Sequence, residues 1–413
     1  MRTTTLFRNL LQLPHTVVSN VAFDADGLTV AVHPRWKLPR CSGCGQRVRS
    51  GYDRSRDRRW RHLDLGAMRL QLRYDIRRVN CARCGVRVEE VPWADACSRF
   101  THDFEEQVAC LVQNTSQSAV EKLMGIAWRT VGELARRVVA RHAPIDRLDG
   151  LVHIGVDELS VRKGHRYITC VVDHDRCRVV WAKEGKSAEV LKSFFDELGA
   201  ERCAAIRAVT LDMSQAYRKA VREACPNATL VLDRFHVQRL AHDALDEVRR
   251  AEVRDATEPE AKRDLKKTRW PLQKNPWNLA AFEREKLALL QKRNKRLYRA
   301  YLLKEALLAV LDRRQVHVAR RKLAEWCRWA SRSRLAPFVK LSRTIRRATE
   351  GILAYIRTGL SNGRTEALNG KLRVLTRRAY GFHHPSSLIA LIYLCCSGLH
   401  FHPKRIYPPF DSA

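Results

Sequence analysis

Three acidic residues that lie far apart in the chain have the types and positions needed to share a metal site. Asp157 ends the first strand of a predicted α/β region, and Asp212 ends the fourth strand. In a ribonuclease-H-like sheet those two strands are neighbours, so both carboxylates would project at one edge. Glu366 follows a predicted turn and opens a later helix, which makes it the best third ligand. Carboxylate oxygens suit Mg²⁺ or Mn²⁺, and two such ions about 4 Å apart activate an attacking oxygen and stabilise a departing one.

Other acids near these positions have simpler interpretations, because a single acid at a strand end is more often a helix cap or a surface charge. We expect Asp173 and Asp175 to lie in a hairpin turn. Glu158 should point to the opposite face of its strand from the acid before it. Asp233 ends the fifth strand, three residues before His236, and this pair could line the metal site or brace it. We assign the pair a supporting role.

Two Cys-x-x-Cys pairs, each followed by glycine, predict a second and different metal site. Two thiolates at this spacing can coordinate one tetrahedral ion, and glycine permits the tight backbone turn. The gap between the pairs is 36 residues, longer than the usual 15–20. A hairpin insertion would account for the extra length, and the alternative is four free thiols. The predicted ligands of one structural Zn²⁺ are Cys41, Cys44, Cys81 and Cys84.

An α/β sheet followed by a long helical stretch must position the acids. From residue 151 to 236 the pattern predicts the order β-β-β-α-β-α-β, with Ser187 capping the first helix. The strands YITCVVD and CRVVWAKEG flank a short turn and predict a hairpin. Residues 237–350 are almost all helix formers, and SNGRTEALNG then interrupts the run. The helix after this interruption leads to the apolar segment SLIALIYLCC.

The charge of the chain favours a polyanionic partner. Its 413 residues carry 77 Lys and Arg against 44 Asp and Glu, a net charge of +33 spread along the sequence. Nucleic acid is the first candidate, an anionic membrane surface is the second, and a solvated basic surface without a partner is the remaining alternative. We expect no membrane span, because no run of 18 apolar residues occurs. We expect no signal peptide, because the start MRTTTLFRNLLQLP lacks a long apolar core and a small-residue cleavage site. Thirteen cysteines, several of them isolated, indicate reduced thiols and a cytoplasmic protein.

The stretch SQSAVEKLMGIAWRTVGELARRVVARH predicts a helix-turn-helix, in which the second helix can enter the major groove of DNA. Any short helical hairpin could produce the same pattern. The predicted zinc site, which would make a zinc ribbon before this stretch, and the net charge of the chain favour DNA binding. The expected apolar seam consists of Ala119, Leu123, Ile126, Val131 and Leu134. The predicted DNA-contacting residues are Arg129, Thr130, Arg136 and Arg137 on this second helix, and Asn369, Lys371 and Arg373 on the helix that Glu366 opens.

The sequence resembles the ISL3 family of bacterial insertion-sequence transposases from about residue 38 to about residue 400. The matching text includes GVDELSVRKGHRYITCVVD, VTLDMSQAYRKAV, LVLDRFHV and SNGRTEALNGKLRVLTRRAYGFHHPSSL. The resemblance implies a DDE-type transposase, with the acidic triad falling on Asp157, Asp212 and Glu366. The family's Asp-x-x-His element falls on Asp233 and His236. The basic helical stretch resembles the insertion domain that splits the catalytic fold.

These observations predict a multidomain α+β protein. The expected parts are a zinc ribbon (1–100), a helix-turn-helix (101–147), the first part of a ribonuclease-H-like domain (148–240), an all-helical insertion (241–350) and the second part of the catalytic domain (351–413). The expected partners are double-stranded DNA, as element ends and target, and further copies of the chain in a homodimer or higher oligomer. The expected location is the bacterial cytoplasm, on the nucleoid. The alternatives are a DNA-binding regulator and a structure-specific nuclease of the same fold without joining activity.

Overall fold

The computed structural model describes residues 2–24, 27–142, 146–162, 166–212, 214–360, 363–378 and 385–402. Within these ranges, the side chains at 161, 162, 166, 363–367, 369, 376 and 378 lie outside the description. The chain divides into two compact units. Unit 1 consists of residues 1–143 and 399–413, and unit 2 consists of residues 144–398.

Unit 1 begins with one helix and a twisted five-stranded sheet. The strand order is β1-β2-β4-β3, with β5 paired to β4. Trp60 and Trp93 meet edge to face in its core, with ring centroids 5.6 Å apart, and Leu72 and Ile76 of β4 pack in the same cluster. The elements are α1 (Thr3–Leu11), β1 (Thr16–Asp24), β2 (Gly27–Pro34), β3 (Gly51–Arg61), β4 (Leu70–Cys81) and β5 (Gly85–Val88).

Three helices complete the described part of unit 1: α2 (His102–Asn114), α3 (Gln117–Met124) and α4 (Trp128–His142). Ser116 Oγ accepts a hydrogen bond from the N–H of Ala119 at 3.2 Å and begins α3. Gly125 ends α3 with φ +57°, a left-handed conformation that glycine adopts at little cost. The predicted helix, turn and helix are therefore present.

The apolar seam of the helix-turn-helix differs from the prediction at one position. Val131 and Leu134 of α4 are fully buried, as expected. Leu123, however, is 66% exposed, and Val120 is the fully buried side chain of α3. The prediction for Leu123 was wrong because the buried face of α3 contains Gln117 and Val120, which leaves Leu123 toward solvent.

Unit 2 is built around a mixed sheet with the strand order β10-β9-β6-β7-β8. β6 pairs antiparallel with β7, and β7 with β8, whereas β6–β9 and β9–β10 are parallel pairs. The predicted order of strands and helices is confirmed, with one short extra helix, α6. The elements are β6 (His153–Arg162), β7 (Arg166–Asp173), β8 (Arg178–Glu184), α5 (Ala188–Leu198), α6 (Ala200–Ala205), β9 (Ala208–Leu211), α7 (Gln215–Ala224) and β10 (Thr229–Leu232).

One face of this sheet is covered by α5 and α7. Ile154 and Val156 of β6 pack in a core with Phe194 of α5 and Val221 of α7. Successive side chains of a strand point to opposite faces, so Asp157 projects from the other face. The predicted cap of α5 is confirmed, since Ser187 Oγ accepts a hydrogen bond from Val190 N at 3.4 Å.

After β10, the described elements of unit 2 are helices. They are α8 (Arg234–Asp255), α9 (Pro259–Leu265), α10 (Arg269–Gln273), a 3₁₀ turn (Pro276–Asn278), α11 (Ala281–Arg293), α12 (Lys295–Leu311), α13 (Val316–Ser331), α14 (Ala336–Thr358), α15 (Gly363–Arg378) and α16 (Pro385–Cys396). α15 contacts β6 and α16 contacts β8, where the N–H of Ala182 donates to Tyr393 Oη at 3.0 Å. None of the described helices is long and apolar enough to cross a bilayer.

The helical region between β10 and α15 shares one continuous apolar core with the sheet edge. That core extends from Leu232 of β10 through α8 and α12 to Ile352 of α14. The predicted boundaries at 240/241 and 350/351 consequently fall inside α8 and α14, which run without a break across them. The five-part division of the chain remains a prediction.

Candidate active site and metal centre

Two of the three predicted metal ligands lie side by side, just beyond the point where the parallel pairing of β6 with β9 ends. Gly155 of β6 pairs in register with Thr210 of β9. Asp157 and Asp212 each follow two residues later. Asp212 follows the last residue of β9, as predicted, but Asp157 lies within β6 and pairs with Cys170 of β7. The prediction that Asp157 ends its strand was wrong, because β6 continues to Arg162 in its pairing with β7 after its pairing with β9 has ended. Paired strands are about 4.8 Å apart, and residues in register on parallel strands share a face. The strand pairing therefore brings these two carboxylates to one edge.

Each of the two carboxylates is held by a nearby backbone group. Asp157 Oδ1 accepts the N–H of Glu158 at 2.8 Å. Asp212 Oδ1 accepts the N–H of Ser214 at 2.8 Å. These short-range bonds fix the direction of both side chains before any ion binds.

Asp233 joins the same edge. β9 and β10 pair in register to their last residues, so Asp233 follows β10 at the position beside Asp212. It is 4% exposed and caps α8, its Oδ1 accepting the N–H of Phe235 at 3.3 Å. Its Oδ2 lies 3.9 Å from His236 Nε2. Sequence analysis placed Asp233 at a strand end but could not show that it lies in line with Asp212 and Asp157 across three neighbouring strands.

A cavity of about 570 Å³ opens beside these three aspartates. Helix α15 forms one wall of it with Leu372 and Arg373. Glu366 lies on the same helix, six residues before Leu372, which corresponds to roughly 9 Å along the axis. The side chains of Glu366 and Asn369 lie outside the described residues, and Lys371 is exposed. The main polar lining consists of Asp157, Glu158, Asp212, Asp233, His236, Arg239 and Arg373.

Glu158 is a further acid at this cavity. Its side chain hydrogen-bonds to Tyr217 of α7, on the face opposite to Asp157, as expected from strand alternation. Burial raises the pKa of Glu158, and the negative charge of Asp212 raises it further. Sequence analysis set Glu158 aside, yet the carboxylate lines the cavity within electrostatic reach of the aspartates.

The two acids of the hairpin turn lie elsewhere, as predicted. Asp173 is buried and accepts the N–H groups of Asp175 and Arg176 at 2.9 and 3.2 Å. Asp175 pairs with His153 at 2.9 Å. Both acids stabilise the β7–β8 turn, and neither lines the cavity.

The four predicted zinc ligands converge. Their sulfur atoms all lie within 4.8 Å of one another, and Cys44 Sγ is 3.6 Å from Cys81 Sγ. Four thiolates at 2.3 Å from one tetrahedral zinc would be about 3.8 Å apart, so the donor set fits. Gly45 and Gly85 have φ +70° and +72°, the left-handed turn that the pattern required. Within the cluster, backbone hydrogen bonds lower the pKa of Cys81 to about 7, whereas the hydrogen bond to Cys44 and burial raise the pKa of Cys84. Four thiols this close cannot all ionise unless a cation balances their charge.

Some of the predicted DNA-contacting side chains of the helix-turn-helix are exposed, whereas one makes contacts within unit 1. Arg129 is 89% exposed and pairs only with Glu133 one turn along α4, and Arg136 is also exposed. Thr130 lines a shallow cavity with Arg59 and other arginines.

Arg137 has a different role from the predicted one. Its guanidinium donates to the fully buried carboxylate of Glu105 and to Ser98 Oγ, the latter at 2.6 Å. Arg141 reaches the same carboxylate. Arg137 therefore joins α4 to α2, because the docking of these helices turns its side chain inward.

An arginine-rich strand in unit 1 was missed by sequence analysis. β3 is an edge strand whose residues 51–57 are all exposed, and it carries Arg54 and Arg56. The run DRSRDRRWR, in which nearly every residue is charged, was the available signal. An exposed edge strand with these arginines offers positive charge that can bind the phosphate backbone of DNA.

Comparisons with known proteins agree with this arrangement. A transposase model of the ISL3 group matches residues 154–392, a zinc-finger model of transposases IS204/IS1001/IS1096/IS1165 matches residues 37–84, and a helix-turn-helix model of transposase family ISL3 matches residues 89–139. The chain is 41% identical over 430 residues to the transposase for insertion sequence element IS1557 of Mycobacterium tuberculosis, covering 96% of both chains. It is 29% identical over 358 residues to the transposase for insertion sequence element IS1001 of Bordetella parapertussis, covering 86% of this chain and 88% of that one.

Proposed function

Because the chain belongs to the ISL3 family of transposases, we propose that it binds the terminal inverted repeats of its own insertion sequence, cleaves them and joins them to target DNA. The observation that carries this proposal is the cavity lined by Asp157, Asp212 and Asp233, which lie in line across three neighbouring strands. A transposase needs a site that holds metal ions beside a phosphodiester. Oxygen-only ligands at one sheet edge meet that need.

The residues that would hold catalytic Mg²⁺ or Mn²⁺ are Asp157, Asp212 and Glu366. When bound, the ions would activate an attacking oxygen and stabilise the departing one. Arg239 and Arg373 line the same cavity and would bind the phosphate oxygens of the cleaved strand. Asp233 would position the first turn of α8, which carries His236, while Glu366 would complete the ligand set from α15.

The strand order supports the ribonuclease-H-like interpretation of unit 2. Three antiparallel strands are followed by two parallel ones, and the first strand lies at the centre of the sheet beside the fourth. The helices from α8 to α14 separate β10 from α15 in sequence, which fits a helical insertion between the two aspartates and the glutamate.

End recognition would belong to unit 1. The exposed face of α4, with Arg129 and Arg136, would enter the major groove, and β3 would bind the phosphate backbone through Arg54 and Arg56. Zinc would have a structural role, holding the two cysteine turns together below β4 and β5. Since two element ends must be brought together, we infer a homodimer or higher oligomer on DNA, acting on the nucleoid in the bacterial cytoplasm.

The test is a joining assay. The full-length chain is incubated with Mg²⁺, a duplex containing an end of the insertion sequence that encodes it, and a supercoiled target plasmid, and the products are sequenced. We expect cleavage at the element boundary and covalent joining of the end to the plasmid. Cleavage without joining would indicate the structure-specific nuclease, and specific binding without cleavage would indicate the regulator.

A further inference from the structure

A second cavity, of about 460 Å³, lies against the same helix as the acidic cavity. His236 and Arg239 of α8 line the acidic cavity. Arg234, Gln238 and His242, spaced four residues apart along α8, line the second one. Adjacent faces of the same helix therefore line the two cavities, and the second begins one residue after Asp233.

The charged groups at the second cavity are paired with each other. Arg234 Nη2 lies 2.5 Å from Asp312 Oδ1. Lys274 Nζ lies 2.7 Å from Glu283 Oε1, and Glu283 is itself buried. The two cations are thus neutralised within the protein, and the cavity is poorly suited to a phosphate.

The remaining titratable groups at the second cavity also leave it without a net charge. Glu305 is paired with Lys304, whose side chain is fully buried. Burial lowers the pKa of His242, and the charge of Lys304 lowers it further, so the imidazole is neutral near pH 7. An electrically balanced but polar cavity is the environment that an uncharged, hydrogen-bonding ligand requires.

Amide side chains supply the hydrogen-bonding groups. Gln238 lines the cavity one turn after Arg234 on α8. Gln273, Asn275 and Asn278 also line the cavity, and their side-chain amides make no hydrogen bond to another described residue. Each amide offers a donor and an acceptor side by side, the pattern that matches the edge of a nucleobase.

An exposed tryptophan lines the second cavity together with these amides. Trp277 lies in the 3₁₀ turn at the cavity and is 72% exposed. Its ring offers a large flat apolar surface with one N–H donor. A flat aromatic surface beside amide groups can stack on a base while the amides bind its edge.

We propose that this cavity receives one unpaired base of the bound DNA strand, stacked on Trp277, next to the cleavage site. The inference rests on the proposed function, because it is the acidic cavity on the adjacent face of α8 that would hold the neighbouring phosphodiester. Removing a base from the duplex would loosen the end at which the strand is cut. Pairing with the amides would offset part of the cost of unstacking.

The test uses the full-length chain and a duplex carrying a single unpaired 2-aminopurine, with the fully paired duplex as reference. We expect the wild type to quench the unpaired probe and to prefer this duplex by about 5- to 150-fold, the range for one base–aromatic stack. Trp277→Ala should lose the quenching and the preference, and Trp277→Phe should retain part of both. The matched control is Trp270→Ala, since Trp270 is 64% exposed but does not line the cavity.

Equal behaviour of the Trp277→Ala and Trp270→Ala proteins would overturn the proposal. Thermal melting of each variant shows that the fold is kept, as expected for exposed side chains. The joining assay separates this proposal from the proposed function. If the protein joins ends but the Trp277→Ala and Trp270→Ala variants behave alike with the probe, the base pocket alone is rejected. If the probe is quenched only when Trp277 is present but the protein cannot join ends, the proposed function alone is rejected.

Discussion

Replacing Arg137 by alanine should destabilise unit 1 rather than remove a contact with DNA. Its guanidinium donates to the carboxylate of Glu105, which is fully buried, and to Ser98. Breaking a buried ion pair costs about 3–5 kcal/mol when a buried charge is left without a partner. Arg141 still reaches Glu105 in the variant, so we expect a smaller loss of about 2–3 kcal/mol in the free energy of unfolding.

The assay is calorimetry of the full-length chain together with binding to the element end. For a unit of roughly 150 residues, 1 kcal/mol shifts the melting temperature by about 2–4 °C, so the transition of unit 1 should fall by about 4–12 °C. Arg129→Ala is the matched control on the same helix. Its side chain is 89% exposed and its pair with Glu133 is worth about 0.3–0.5 kcal/mol, so melting should change little while end binding weakens.

The opposite pattern would refute the reasoning. If Arg137→Ala melts with the wild type and loses preference for the element end over random DNA, then this guanidinium reads a base. The contact between α2 and α4 would in that case be unimportant to stability.

Further outcomes follow from the two metal sites and the basic strand. Alanine at any one of the three proposed metal ligands should abolish cleavage and joining in the product assay while leaving end binding nearly unchanged. Ca²⁺ in place of Mg²⁺ should permit binding without turnover. An active Glu366→Ala protein would contradict the ligand set. Asp233→Asn, which keeps the cap of α8, should slow joining without abolishing it. Cys44→Ser should reduce the zinc content from one ion per chain to none, and folded protein without zinc would exclude the site. Alanine at both Arg54 and Arg56 should reduce the salt dependence of binding by about two charges on every DNA sequence, whereas a loss confined to the element end would indicate base contacts.

The sequence by itself determined the features that depend on short spacing and backbone conformation. Two cysteines separated by two residues and followed by Gly45 or Gly85 can form only a few turns, so the zinc site could be predicted from the residues alone. Ser116 and Gly125 likewise mark the ends of α3 because capping and left-handed φ act within a few residues. The alternation of strands and helices in unit 2 followed from hydrophobic periodicity in the same way.

Only the tertiary structure decided which distant side chains meet. The parallel register of β9 and β10 put Asp233 beside Asp212, and no local pattern carries that register. The docking of α4 on α2 turned Arg137 inward to Glu105, although its position on the helix is compatible with a DNA-facing side chain. The cavity at Trp277 exists because α8, α12 and the 3₁₀ turn converge there. The physical reason is common to all three: spacing along the chain fixes an element, but the partner of a side chain is set by how elements far apart in sequence pack together.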